Sequence, residues 1–117
     1  MATAERDVRE RLGMMLDTLR EVFGSDGEVA RALDVDPSQV SRWRRGQQPA
    51  ELAWDRVIDL FAVASKLEPL YQPARIRKWI EGVNAHLADR TPLFMIRLGR
   101  TDEVLAAIQA TKSGAFA

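Results

Sequence analysis

The chain has 117 residues, with 17 basic and 17 acidic side chains, 46% apolar residues and no cysteine. That length and apolar content suit one folded unit, or a small domain joined to a second that shares its core. The missing cysteines exclude a disulfide framework, a thiolate metal site and a cysteine nucleophile, while the charged start MATAERDVRERL is no signal peptide and the longest apolar run, at 60–64, is too short to span a bilayer. A protein of the cytoplasm is expected.

Val8, Leu12, Met15, Leu19 and Val22 recur at spacings of four and three, which predicts a helix over 4–23 with one apolar stripe and Gly24 as its stop. Glu5 with Arg9 and Asp7 with Arg11 stand four apart, in the order that favours pairing on the wet face. The stripe either covers the core of the next segment or forms a seam between two copies.

Residues 26–45, DGEVARALDVDPSQVSRWRR, read as a helix-turn-helix. Val29, Ala30, Leu33, Val35, Val40 and Trp43 have the spacing of two short crossing helices that share one core. Asp34 stands where the turn wants a left-handed residue, a conformation aspartate tolerates better than most. Asp36 is a plausible N-cap and Pro37 suits the first helical position. With Val40 and Trp43 facing inward, Ser38, Gln39 and Arg42 turn outward, as the base-reading residues of a recognition helix would; Arg42 suits guanine and Gln39 adenine. Ser41, Arg44, Arg45 and the amides of 46–48 are placed for phosphates. The plain alternative is a solvated basic helix end whose arginines complement its dipole.

The zero net charge is distributed unevenly. Residues 1–36 hold five arginines against nine carboxylates, a balance of −4; 37–48 hold three arginines and no acid; 69–100 hold six basic and two acidic residues, a balance of +4. Nonspecific affinity follows the number of phosphates neutralised, so one copy should bind DNA weakly. A homodimer on a palindrome, with recognition helices about 34 Å apart, would bind better.

Pro49 is expected to open a helix that runs to about Glu68 and ends at Pro69. Its residues Leu52, Trp54, Val57, Ile58, Leu60, Phe61, Val63 and Leu67 cover more than one face. Such a helix should be buried on two sides, as a spine joining the two halves of the chain or facing a second subunit. Beyond it, Pro73 opens a helix with Ile76, Trp79 and Ile80 that stops near Gly82. Thr91-Pro92 caps another that ends at Gly99, and Thr101 caps a last one with Val104, Leu105 and Ile108 inward, ending before Gly114. No strand pattern or internal repeat appears. The expected fold is all-α, a helical bundle divided at 1–68 and 69–117.

The segment from Trp79 onward carries Trp79-Ile80, Asn84, Arg90-Thr91-Pro92-Leu93, Gly99, Glu103-Val104-Leu105 and the ending Gly114-Ala115-Phe116-Ala117. In this order, behind a helix-turn-helix, these motifs resemble the toxin-binding domain of the Xre/MbcA/ParS antitoxins. Two departures stand out: Val83 replaces the family's proline before Asn84, and Leu87-Ala88-Asp89 replaces a Gly-rich turn. The resemblance implies a RES-domain toxin that degrades NAD as partner, held inactive by this chain, and a complex that represses its own promoter. It implies toxin contacts at Arg90, Lys112, Gly114, Phe116 and Ala117, with Phe116 either plugging the toxin's cleft or folding back as a staple on its own helix. The basic excess at Arg75, Arg77, Lys78, Arg90, Arg97 and Arg100 suits an acidic toxin surface, a second DNA contact or plain solubility.

A stand-alone dimeric transcriptional regulator without a toxin is the other reading. No His, Cys or carboxylate cluster has metal-ligand or triad spacing, no Gly-rich phosphate loop is present, and His86 is a lone loop histidine. Neither enzymatic activity nor a cofactor is expected.

Overall fold

Helix ends in this chain fall where backbone chemistry allows them. The structure, a computed structural model, describes residues 2–114, and its α-helices are α1 (Ala2–Phe23), α2 (Asp26–Leu33), α3 (Pro37–Arg44), α4 (Glu51–Leu67), α5 (Pro73–Glu81), α6 (Pro92–Arg97) and α7 (Thr101–Gly114), with a 3₁₀ turn at Ala85–Leu87. Among the described residues the only strand-like feature is an isolated bridge between Asn84 and Arg90. The all-α expectation therefore holds. No helix of the described residues is long and apolar enough to cross a membrane.

Asp34 ends α2 in the left-handed region, at φ 59° and ψ 45°. Its amide donates to the Arg31 carbonyl at 3.1 Å and the next, of Val35, to that of Ala30 at 2.9 Å, the two bonds of a Schellman stop. The start of α2 was less visible in the sequence: Ser25 accepts from the Glu28 amide at 3.1 Å, in the Ser-x-x-Glu spacing of a capping box.

One connected core runs the length of the molecule. Leu12, Leu16, Leu19 and Phe23 of α1 meet Val29, Ala30 and Leu33 of α2 and Val40 and Trp43 of α3, and the same cluster continues through α4 to Ile76, Ile80, Leu87, Met95, Val104 and Ile108. α1 packs on α2, α4 and α5, and α4 on α1, α6 and α7. The α1 stripe thus covers the core of the following helix pair, but neither expected pair on its wet face, Glu5–Arg9 or Asp7–Arg11, closes to ion-pair distance among the described residues.

α4 departs from the expected burial. Val57, Leu60, Val63, Ala64 and Leu67 are buried, but Leu52 and Ile58 stand 61% and 48% exposed. The second apolar face is not covered within the chain because α1 and α6 flank it and leave grooves on both sides of Ile58, one lined by Val8, Met15 and Trp54, the other by Leu52, Ile96 and Arg97.

Three arginines fasten the later helices to the ends of α1 and α2. Arg77 of α5 donates to the Phe23 carbonyl at 2.7 Å and to Glu28 at 3.0 Å. Arg56 of α4 donates to the Leu33 carbonyl at 3.2 Å, and Arg97 of α6 to those of Ala32 and Arg31 at 3.1 and 2.7 Å. The last carbonyls of a helix lack intrahelical partners and carry its negative dipole end, so a guanidinium satisfies both needs. Two of the six basic residues in 69–100, Arg77 and Arg97, are structural for this reason.

Thr101 also departs from expectation. Its hydroxyl donates to Asp59 of α4 at 3.0 Å, so it ties α7 to the spine instead of capping its own helix. The turn that replaces the Gly-rich segment holds two consecutive left-handed residues, Ala88 at φ 55° and Asp89 at φ 62°. An alanine pays a steric penalty there that glycine does not. Ala88→Gly should raise the unfolding free energy by about 0.5–1 kcal/mol despite glycine's larger chain entropy, read from urea midpoints; an unchanged or lowered midpoint would refute the strain.

Candidate functional site

α3 presents one wet face and one dry one. Asp36 accepts from the Ser38 amide at 2.8 Å and from its hydroxyl at 2.7 Å, and Pro37 occupies the first turn. These bonds hold the Asp36 carboxyl below its ordinary pKa. The cap's contribution is complete above the pH where unfolded aspartates titrate and is lost as the pH falls through the folded value. Val40 and Trp43 are buried at 0% and 2% exposure. Ser38, Ser41, Arg42 and Arg45 are exposed and Gln39 is half-buried. Arg45 reaches back to the Ser41 hydroxyl at 2.9 Å.

Arg44 faces elsewhere. Its guanidinium donates to Asp26 twice, at 2.7 and 3.0 Å, and to Asp17 at 2.8 Å. Hydrogen bonding to Asp26, with Asp17 adding to it, raises its pKa against partial burial. Arg44 therefore clamps α3 onto α1 and α2, with Nε, Nη1 and Nη2 each engaged by a carboxylate. Two of the loop amides are occupied as well: Gly46 donates to the Trp43 carbonyl at 3.1 Å and Gln47 to that of Arg42 at 3.0 Å, closing α3 with a second Schellman stop. At φ 110° Gly46 takes a conformation that strains any other residue, and a Cβ there would displace the tip of the exposed Arg9 side chain, 2.8 Å away. The sequence offered a hint for the Arg44 clamp in the acidic start of α2, but only the fold brings Asp26 and Asp17 to it.

In the C-terminal segment the described site residues lie on different elements, Arg90 before α6 and Lys112 and Gly114 on α7. Arg90 is exposed with Nη1 4.0 Å from Met95 Sδ. Lys112 is half-buried on α7 and Gly114 is exposed at its end. Phe116 and Ala117 lie outside the described residues. Several motif residues are fold determinants: Thr91 accepts from the Phe94 amide at 3.1 Å, Pro92 is a buried first-turn residue, and Gly99 and Arg100 close α6 on the carbonyls of Ile96 and Met95. Glu103 is paired with Arg100, which holds its carboxyl below the usual range. Asn84 supports the 3₁₀ turn by accepting from the His86 amide at 2.9 Å.

No family model matches the chain. Over 108 residues it is 32% identical to the mycobacterial cidal antitoxin MbcA of Mycobacterium bovis and to that of two Mycobacterium tuberculosis strains, an alignment that spans 92% of this chain and 87% of those proteins. The chain belongs to the MbcA family of antitoxins. Its fold agrees: one chain of the crystal structure of the M. tuberculosis MbcT–MbcA toxin–antitoxin complex superposes with a TM-score of 0.72 at 29% identity, covering 94% of this chain and 97% of that one. For this MbcA-family antitoxin the likeness therefore spans both the α2–α3 pair and the C-terminal segment, not one motif.

Proposed function

We propose that this antitoxin neutralises a RES-domain, NAD-degrading toxin and that the complex represses its own promoter through the α2–α3 pair. The toxin arm is supported by the likeness to MbcA over 92% of the chain, together with the solved MbcT–MbcA complex. On this reading residues 69–117 face the toxin, with Arg90, Lys112, Gly114, Phe116 and Ala117 at the contact. Residues 1–68 serve DNA. The test is co-expression with a RES-domain toxin: the antitoxin should restore growth and the cellular NAD level together. Toxicity unrelieved by the antitoxin would sink the toxin reading and leave the stand-alone regulator.

The DNA arm is supported by the wet face of α3. Ser38, Gln39 and Arg42 are the base-reading residues and Ser41 and Arg45 the phosphate contacts; Arg44 acts indirectly, by fixing the angle of α3. Arg42→Ala should weaken specific operator binding by about 1–3 kcal/mol and nonspecific binding far less. A uniform loss across sequences in a mobility-shift titration would reassign Arg42 to phosphate. The uncovered apolar residues of α4, Leu52 and Ile58, support a homodimer, which would supply the second DNA-contacting helix that a chain of zero net charge needs.

A further inference from the structure

We propose that the outer face of α5, built by Tyr71, Arg75, Lys78 and Trp79, is a docking surface for an acidic segment of the toxin partner that carries an apolar side chain. This rests on the toxin-binding reading and extends it to a surface outside the tail.

The first support is elimination. Of the basic residues in 69–100, Arg77 is committed to Phe23, Glu28 and Glu81, Arg97 to the end of α2, and Arg100 to Glu103. Arg90 has only the neutral Met95 sulfur as a side-chain partner and is already placed at the proposed toxin contact. Arg75 and Lys78 remain: both are exposed, and neither enters an ion pair or a side-chain hydrogen bond among the described residues. The fold does not use their charge.

The second support is what they flank. Both line one depression with Tyr71, Gln72, Ala74 and Trp79, a wall with two aromatic rings and no carboxylate. The Arg75 guanidinium sits over the Tyr71 ring, 5.3 Å from its centroid, which orders the cation at low entropic cost. Tyr, Trp and Arg are the residues that most often dominate protein–protein binding energy, because rigid rings bury much area while the cation pairs at their edge. A phosphate backbone would use the two cations but has no need of the rings. A carboxylate-flanked apolar side chain uses both, and its charge is steered inward during encounter. The adjoining cleft beyond Lys78 contains Glu21 and Glu81, so an acidic partner is directed to the Tyr71 side.

The test compares wild type with Arg75→Glu/Lys78→Glu by calorimetric titration against a RES-domain toxin, in parallel with operator mobility shifts and sedimentation. The toxin Kd should rise at least tenfold with a flatter salt dependence, while thermal midpoint, operator affinity and oligomeric state stay unchanged. The milder Arg75→Ala/Lys78→Ala pair should lose several-fold and replaces the reversal if that variant does not fold. Toxin affinity within twofold of wild type overturns the proposal. So does a selective loss of operator affinity, which makes the surface a DNA contact, or of self-association, which makes it a subunit contact. A wild-type protein that binds no toxin instead overturns the reading beneath it.

Discussion

Deleting residues 113–117 is expected to abolish protection from the toxin while leaving operator affinity within about twofold of wild type, less than 0.5 kcal/mol. The deletion starts beyond the last member of the core cluster, Ile108. Thr111 still closes its bond to the Ala107 carbonyl at 2.9 Å, and Ser113 and Gly114 are exposed. The truncation therefore removes no described side chain of the core, and α7 keeps its contacts with α4 and α6. What it does remove is the expected plug: Phe116 and Ala117, with Gly114 before them. A short apolar tail blocks a substrate cleft only if the tail is present, so the loss should be complete rather than graded. Growth of toxin-expressing cells, measured beside mobility shifts on the truncated protein, decides it. Cells that survive on the truncated antitoxin would show that neutralisation needs no plug. Loss of both activities would mean that the tail supports the fold.

Arg77→Ala lowers the unfolding free energy by about 2–3 kcal/mol, the largest stability loss expected from any single surface-reaching side chain here. Its guanidinium is one third exposed, joins Glu28 and Glu81, donates to the Phe23 carbonyl, and lies 5.7 Å from the centroid of the Phe23 ring. The pair with Glu81, spaced four apart on the helix surface, contributes only a few tenths of a kcal/mol. Most of the effect comes from the other contacts. Truncation leaves the last carbonyl of α1 without its side-chain donor and Glu28 with only the 3.9 Å contact to Arg31, and loosens α5 from the ends of α1 and α2. Arg77→Lys keeps the charge but loses the fork that reaches carbonyl and carboxylates together, so it should recover less than half. Chemical denaturation of the three proteins measures this. A change below about 0.5 kcal/mol for alanine would place the stitch among surface pairs of no consequence.

The helix starts and stops were legible because they depend on neighbours in the chain. Asp36-Pro37, Thr91-Pro92, Pro73 and Gly99 act within one helical turn, and their chemistry is local. Trp43 and Val40 could be placed inward for the same reason, from a spacing of three. Arg44 could not be placed. One position from Arg45 and two from Arg42, it looks like another phosphate contact, and only the crossing of α2 and α1 behind α3 brings Asp26 and Asp17 to it. Thr101 shows the same limit: its position suits a cap, but Asp59, 42 residues earlier, accepts its hydrogen bond.

By itself the sequence determined the helical class, the order and most ends of the helices and the family likeness, since periodicity, most caps and short motifs are encoded over a few residues each. Tertiary structure alone decided which charges are free. Arg56, Arg77 and Arg97 satisfy helix ends far away in the chain, Arg44 clamps α3, and Arg75 and Lys78 remain beside two aromatic rings. Whether a cation holds the fold or meets a partner depends on what the fold sets within about 3 Å of it, and that distance is fixed by packing across the chain, not by the residues on either side.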